Sequence, residues 1–316
     1  MAGSGDSTRA IFFALGANLA IAVAKGIAAF VTGSGAMLAE TVHSLADCGN
    51  QLLLLLGLRQ SRRPVSAEYP LGYGRAIYFW SFLVAVMLFS VGGMFSVYEG
   101  VHKLQHPEPL EQWWWAAGVL VFAIVAEGVS MRACLQEVNK VRAGRSLWRW
   151  FRESRQAELV VIFGEDLAAL CGLVLALAAV LLAVATGNPF WDALGTIAIG
   201  LLLIVVAVLV AIEVKAMLIG QSVDPFLQRQ ISEFMAGRPE IAEVLHVITL
   251  QQGADVLVST HARMRRSHDG GAMLEDIDQV ERALKQQFPV VRWSFFEPED
   301  AGPGAGGSGT VSAPRA

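Results

Sequence analysis

Acidic and imidazole side chains occur at a few positions inside otherwise apolar stretches, and their spacing could bind a metal cation. Glu40, His43 and Asp47 are spaced so that they share one face of a helix. His43 and Asp47 lie one turn apart and can converge on one ion, to which Asp166, from another apolar stretch, would add a carboxylate. Helical bundles assemble metal centres in this way. Imidazole nitrogen with carboxylate oxygen suits Zn²⁺, and less selectively Mn²⁺, Co²⁺ or Fe²⁺.

The remaining charged residues of the apolar stretches are candidates for supporting roles. Glu165 and Asp166 are adjacent, about 100° apart on a helix, so both cannot point at one ion. We take Asp166 as the ligand and Glu165 as a lesser candidate. Glu165 would be either an outer partner, meaning a residue that orients the ligands without binding the ion, or a proton relay. Glu127 has Arg132 nearby in sequence, which favours a structural ion pair. Lys25 could neutralise the charge of Glu127 or that of Glu40. In the alternative without a metal, His43 and Asp47 only bond each other or neighbouring backbone.

The composition of the chain places these residues in a membrane protein. Of 316 residues, 54% are hydrophobic and only 16% are charged, whereas soluble domains carry nearer a quarter charged residues. A spanning helix needs about 20 mostly apolar residues. Charged groups within such a helix are costly, which makes them functional or paired. Six stretches qualify as spans: Ala10–Val31, Ala36–Leu58, Ile77–Val101, Trp113–Cys134, Leu159–Thr186 and Trp191–Ala211.

The basic residues between these stretches alternate, which predicts the orientation of the chain. Lys and Arg are concentrated before the first stretch, between the second and third, and between the fourth and fifth. The opposite loops, Thr32–Ser34, Gln105–Gln112 and Gly187–Pro189, contain none. The positive-inside rule therefore predicts that both termini are cytoplasmic.

A smaller domain of different character follows the last apolar stretch. Pro225–Ala236 and Met273–Phe288 have the periodicity of amphipathic helices, and strands are predicted at Val244–Leu250, Asp255–Met264 and Val290–Phe296. This helix–strand–strand–helix–strand order predicts a small α+β sandwich. The predicted organisation is a membrane domain over residues 1–216, a cytoplasmic domain over 217–300, and a Gly/Ser/Pro-rich disordered tail over 301–316.

Several motifs together resemble the cation diffusion facilitator family. They are the segments Ser34–Asn50, Tyr69–Arg75, Glu165–Gly172 and Gly187–Asp192. The Glu–Asp pair at 165 and 166 is most similar to the branch that contains the mitochondrial zinc exporters. The resemblance implies a homodimeric antiporter of divalent metal against protons with six transmembrane helices and a ferredoxin-like cytoplasmic domain. It requires no cofactor and no enzymatic activity.

The resemblance also carries residue roles to this chain, with departures. His43 and Asp47 match the family's ligand pair in the second span, and Asp166 matches one of the family's two ligands in the fifth span. The other ligand position of the fifth span is Ile162, so the fourth ligand could be water, Glu165 or Glu40 of the second span. The metal-binding histidines that the family carries in its loop between helices 2 and 3 are absent. In the small domain, His246 and His261 resemble regulatory metal positions, although Phe296 replaces a further ligand.

The sequence thus predicts a proton-coupled exporter of Zn²⁺ or a similar divalent metal, with the lipid bilayer, protons and a second copy of the chain as partners and no nucleic acid. A non-transporting metal sensor or scaffold, which the apolar Ile162 keeps open, and an intramembrane metalloenzyme are the alternatives. No HExxH motif supports the metalloenzyme. The amino-acid usage and the first residues of the chain favour a bacterial inner membrane.

Overall fold

The structure, a computed structural model, describes residues 4–32, 35–107, 113–266 and 269–299, and it divides into two compact units. The first, called the helical unit, comprises Met1–Gln221 and Gln251–Ala254. The second, called the sheet unit, comprises Ser222–Leu250 and Asp255–Ala316. The predicted tail at 301–316 lies outside the described residues, as do the side chains of Glu40 and His43.

The helical unit consists of long helices in the order that hydropathy predicts. They are α1 Ser4–Thr32, α2 Gly35–Ser61, α3 Ala76–Met87, α4 Phe95–Gln105, α5 Trp113–Val141, the short α6 Leu147–Glu153, α7 Ala157–Thr186 and α8 Phe190–Ile219. A π-helical segment, Leu88–Met94, joins α3 to α4, so that Ala76–Gln105 is one continuous span. Neither this segment nor α6 was predicted from the sequence.

Four stretches of the described residues are long and apolar enough to cross a membrane. They are Ala76–Gln105, Trp113–Val141, Ala157–Thr186 and Phe190–Ile219. The multi-pass character predicted from composition is therefore confirmed, while the predicted first and second spans stay predictions. In α2, Glu40 and Asp47 lower the mean hydropathy, and α1 contains a shorter apolar stretch at Ile11–Ile27. Large apolar side chains such as Tyr98 and Val125 are exposed on the outer faces of the helices, as expected for surfaces in contact with lipid.

The helical unit is stabilised by packing between apolar faces and by close helix contacts at glycines. Its largest core joins α1, α2, α3, α5, α6, α7 and α8, and Trp150 of α6 packs edge-on against Phe163 of α7 at 5.6 Å between ring centroids. Helices α4 and α8 approach each other so closely at Gly100 that a Cβ on this residue would lie only 3.0 Å from the Ala193 carbonyl oxygen. Small residues allow such backbone approach between membrane helices, where the hydrophobic effect does not drive association.

The sheet unit has the element order that the sequence predicts. Helix α9, Pro225–Ala236, begins at a cap in which the Asp224 carboxylate accepts from the Phe226 amide at 2.8 Å. Strands β1 Ile241–Gln252, β2 Asp255–Met264 and β3 Val291–Glu299 form one sheet in the order β1-β2-β3, with β2 and β3 parallel. Helix α10, Gly270–Gln287, joins β2 to β3. The small α+β organisation is therefore confirmed.

Candidate metal centre

The polar face of α2 runs along the interior of the helical unit toward α7. Asp47 and Ser44 line a cavity of about 350 Å³, and Asn50 and Gln51, one turn further on, are buried. This is the face that the spacing of Glu40, His43 and Asp47 predicts. His43 belongs to α2, but its side chain lies outside the described residues, so its part in a site stays a prediction.

Glu165 is held by two amide side chains from α2. Asn50 Nδ2 donates to Glu165 Oε1 at 3.0 Å, and Gln51 Nε2 donates to Glu165 Oε2 at 2.8 Å. All three side chains are buried. Because a buried carboxylate is stabilised only when its oxygens receive hydrogen bonds or a cation, the two amides fix Glu165 in position. This arrangement suits an outer partner of the site, one of the two roles that the sequence left open for Glu165.

Asp166 is almost fully buried and receives a hydrogen bond from α5. Ser130 Oγ donates to Asp166 Oδ2 at 3.0 Å, and both side chains are no more than 2% exposed. Ser130, Asn50 and Gln51 were not predicted from the sequence. The only available signal was that neutral polar residues recur at helical spacing in stretches that must otherwise be apolar.

The position of Ile162 explains the missing ligand of the family pattern. Ile162 is fully buried in the apolar core of the helical unit, together with Leu54 of α2 and Val160 of α7. An aliphatic side chain has no lone pair to offer a cation. The turn of α7 that precedes Asp166 therefore contributes packing instead of a ligand.

The charged residues that line the cavity, within the part of the chain that the structure describes, are predominantly acidic. It is bordered by the carboxylates Asp47, Glu99, Glu127, Glu165 and Asp192 and by the lysines Lys25 and Lys103. If all are ionised, the carboxylates exceed the lysines by three negative charges. A negative interior of this kind inside apolar helices attracts and holds cations.

Glu127 faces this cavity and not Arg132. The Glu127 side chain is 2% exposed, and its charged neighbours are Asp166, Glu165, Asp47 and Lys25. Arg132 is exposed on another face of α5. The structural ion pair favoured by the sequence is therefore not formed, because residues five apart on a helix point about 140° away from each other. Of the two partners considered for Lys25, the structure brings Glu127 close to it.

The far end of the cavity is bordered by an ion pair between α4 and α8. Lys103 Nζ lies 3.0 Å from Asp192 Oδ2 and 3.4 Å from Thr196 Oγ1. Glu99 lies one turn before Lys103 on α4 and lines the same cavity. Polar groups thus border the cavity both beside the α2–α7 pair and at the α4–α8 end.

A complete metal cluster is not assembled by the described side chains. Within residues whose side chains are described, no three of His, Cys, Asp and Glu lie close enough together to hold an ion. In the sheet unit, His246 is exposed on β1, and His261 Nε2 lies 3.7 Å from Glu299 Oε2. Phe296 packs against the apolar core there. Metal binding by His246 and His261 stays a prediction.

Comparison with known proteins gives the same assignment as the motifs. The profile of the cation efflux transmembrane domain matches residues 11–219. The chain is 35% identical over 231 residues to the mitochondrial proton-coupled zinc antiporter SLC30A9 of Xenopus laevis, covering 72% of this chain and 41% of the relative. It is 31% identical over 269 residues to human SLC30A9, covering 81% and 47%. It is 25% identical over 288 residues to the zinc transporter ZitB of Escherichia coli K12, covering 90% and 85%.

These findings confirm some predictions and correct one. The family resemblance and the branch of mitochondrial exporters are confirmed. The relatives are transporters by name, which removes the metalloenzyme alternative. The prediction of a bacterial inner membrane is wrong, because the SLC30A9 relatives are mitochondrial by name. Bulk amino-acid usage does not determine a compartment, and the chain spans less than half the length of these SLC30A9 proteins.

Proposed function

The chain belongs to the cation efflux family, and we propose that it is a proton-coupled antiporter that exports Zn²⁺ or a similar divalent metal across a membrane. The observation that carries the proposal is the group of acidic side chains on α2, α5 and α7 around a cavity inside an apolar helical unit, of which Glu127, Glu165 and Asp166 are buried. Such groups are costly within a membrane unless a cation or a proton compensates them. The names of the SLC30A9 and ZitB relatives support zinc as the cargo.

His43, Asp47 and Asp166 are the proposed ligands of the transported ion. Asp47 borders the cavity, and Ser130 orients Asp166 by its hydrogen bond. Glu165, held by Asn50 and Gln51, keeps α2 and α7 in register around the site. Outer partners of this kind orient ligands and tune metal affinity. Because Ile162 offers no ligand, water or a further carboxylate completes the coordination of the ion.

Exchange follows from competition between metal and protons for the same lone pairs. A histidine must be neutral and an aspartate ionised to bind a metal, so metal binding releases protons and protonation expels the metal. In the proposed cycle the metal enters from the side of the membrane that carries the basic loops. Helix rearrangement then opens the site to the other side, where protons displace the metal.

The finer architecture is part of the same proposal. We take α1 and α2 as two further spans, which makes six with the four that hydropathy supports, and the sheet unit as a ferredoxin-like domain. The proposed assembly is a homodimer with a membrane domain over 1–216 and a second domain over 217–300. The mitochondrial names of the SLC30A9 relatives support the inner mitochondrial membrane as its location.

Zinc flux in proteoliposomes tests this function. Wild-type protein should move zinc across the membrane, as reported by an enclosed zinc-sensitive dye, at a rate that a protonophore alters. Asp47→Ala and Asp166→Ala should abolish flux, whereas Asp278→Ala, an exposed position on α10, should not. Absence of flux in the wild type, with zinc still bound, would instead support the sensor alternative. Full flux in either membrane variant would overturn the assignment of its ligand.

A further inference from the structure

We infer that Glu127 of α5 is a further cation-binding carboxylate of the cavity, supplying a ligand in place of the one that the family pattern loses at Ile162. The inference rests on the proposed function, because it adds a residue to the same cation pathway. It departs from the sequence, which favours a structural pair between Glu127 and Arg132. Four observations support it: the burial of Glu127, the lack of a hydrogen bond to it from any described donor, the position of α5 beside the site, and the charge of the cavity.

Among the side chains that the structure describes, Glu127 is a buried acid of the site that receives no hydrogen bond, unlike Glu165 and Asp166. Glu165 receives two amide hydrogen bonds and Asp166 receives a hydroxyl. In the described part of the chain, no donor reaches the carboxylate of Glu127, although only 2% of the residue is exposed and it lines the cavity. A buried acidic group without donors is costly unless a cation approaches it. The cavity is the space from which a cation can do so.

The face of α5 that carries Glu127 already contacts the site. Ser130 follows Glu127 by three residues, so the two side chains share one face of the helix. Ser130 reaches Asp166 at 3.0 Å, and Glu127 has Asp166, Glu165 and Asp47 as its acidic neighbours. Helix α5 therefore presents Glu127 to the space between α2 and α7, where the ligands His43, Asp47 and Asp166 are proposed.

Because Ile162 stands where the family has a ligand, the site of this chain lacks one ligand that Glu127 can supply. With Ile162 packed in the core, α7 offers Asp166 and the already hydrogen-bonded Glu165. Glu127 supplies one carboxylate from a third helix, and divalent metals accept a carboxylate in such a position. The described side chains hold no complete cluster, so the place where Glu127 binds the ion is the cavity that this residue lines.

In the cation-free state, Lys25 balances the negative charge of Glu127. Lys25 is buried on α1, lines the same cavity and is the positively charged neighbour of Glu127. A tethered ammonium can balance one carboxylate while no metal is bound. A divalent cation carries twice that charge and can take its place beside Glu127.

Zinc binding and flux of four variants test the inference. Equilibrium competition against a zinc-chelating dye in micelles would give the affinity, and proteoliposome uptake would give KM. Glu127→Gln should weaken zinc affinity and raise KM by about tenfold or more, since even the loss of an outer partner costs 10–100-fold. Glu127→Asp, which keeps the charge, should recover part of the loss. The matched control is Glu137→Gln, a buried acid of the same helix that pairs with Lys140 at 2.7 Å, and it should behave like the wild type.

A double variant separates cation binding from mere pairing with Lys25. If Glu127 served only to neutralise Lys25, the variant Lys25→Met/Glu127→Gln would regain wild-type zinc affinity. If Glu127 binds the cation, affinity stays low in the double variant. Wild-type affinity and KM in Glu127→Gln, measured where Asp47→Ala is inactive, would overturn the inference and leave the proposed function intact. Absence of flux in the wild type would contradict the proposed function instead.

Discussion

Gln51 of α2 donates a hydrogen bond of 2.8 Å to Glu165 of α7, and the two side chains are buried where these helices meet. Asn50 provides a second bond to the other carboxylate oxygen at 3.0 Å. The carbonyl oxygens of both amides are buried and have no hydrogen-bond partner in the described part of the chain. The amides therefore serve Glu165 alone, and α2 and α7 are linked directly beside the proposed ligands Asp47 and Asp166.

Replacing Gln51 tests the strength of this link. Gln51→Leu should lower the free energy of unfolding by about 0.6–1.7 kcal/mol, from the average to the largest value measured for hydrogen bonds between membrane helices. Reversible unfolding in mixed micelles would measure it, with Glu165→Leu and the double variant completing a cycle. The effects should be strongly non-additive, because each single change removes the same bond. Strict additivity would show that the bond contributes nothing to stability.

Removing the hydroxyl of Ser130 should affect transport more than folding. In Ser130→Ala, Asp166 loses the donor that orients its carboxylate, so zinc affinity should fall by about 10–100-fold. Competition with a zinc-chelating dye would measure the change. Ser90→Ala is the matched control, because the Ser90 hydroxyl bonds only to Val86 of its own helix at 2.8 Å. Equal affinities in the two variants would argue against Asp166 as a ligand.

The sequence predicted the elements of the fold closely where periodicity was strong. Helix α9 at Pro225–Ala236 and strand β2 at Asp255–Met264 have the predicted bounds. Helices α5 and α8 instead run beyond the predicted ends at Cys134 and Ala211. Hydropathy falls where charged residues begin, but the backbone hydrogen bonds of a helix continue past that point, so the apolar stretch underestimates the helix length.

The candidate site was predicted less completely than the fold. The cost of burying charge identified Asp47, Asp166 and Glu127 as important. That cost gives no direction, and closeness in sequence favoured Arg132 as the partner of Glu127 although residues five apart on a helix point about 140° away from each other. Neutral donors such as Gln51 and Ser130 carry a small burial cost, and only the structure shows which acid each one serves.

The pH dependence of the sheet unit should depend on an ion pair between Arg266 and Asp276. The Arg266 guanidinium donates a hydrogen bond to each carboxylate oxygen of Asp276. These hydrogen bonds, and to a smaller extent the positive charge of Arg266, lower the pKa of Asp276. Because the folded chain binds this proton less readily than the unfolded chain, the pair stabilises the fold at neutral pH. That contribution is lost as the pH falls through the lowered pKa.

Titration of the Asp276 carboxyl carbon by NMR in the full-length chain would measure this shift. In Arg266→Met, the pKa of Asp276 should rise toward about 3.9, the ordinary value for aspartate. Arg292→Met is the control, because Arg292 pairs with Asp255 at 2.9 Å and should leave Asp276 unchanged. An unaltered Asp276 titration in Arg266→Met would show that the pair does not set the pKa.

The close contact of the Ala76–Gln105 span with α8 predicts a marked sensitivity to one methyl group. A Cβ on Gly200 would lie 2.7 Å from the Val97 backbone nitrogen and 2.8 Å from the Gly93 carbonyl oxygen, and backbone atoms cannot move aside without separating the helices. Gly200→Ala should therefore destabilise the helical unit by about 1–3 kcal/mol, the usual cost of overpacking. Gly118→Ala on α5 is the matched control, since a Cβ there meets nothing within 4 Å and alanine favours the helix.

Unfolding temperatures in micelles should fall for the Gly200 variant and stay level or rise for the Gly118 variant. Equal temperatures would mean that the two helices can separate without loss, and that their contact is not the rigid element this packing indicates.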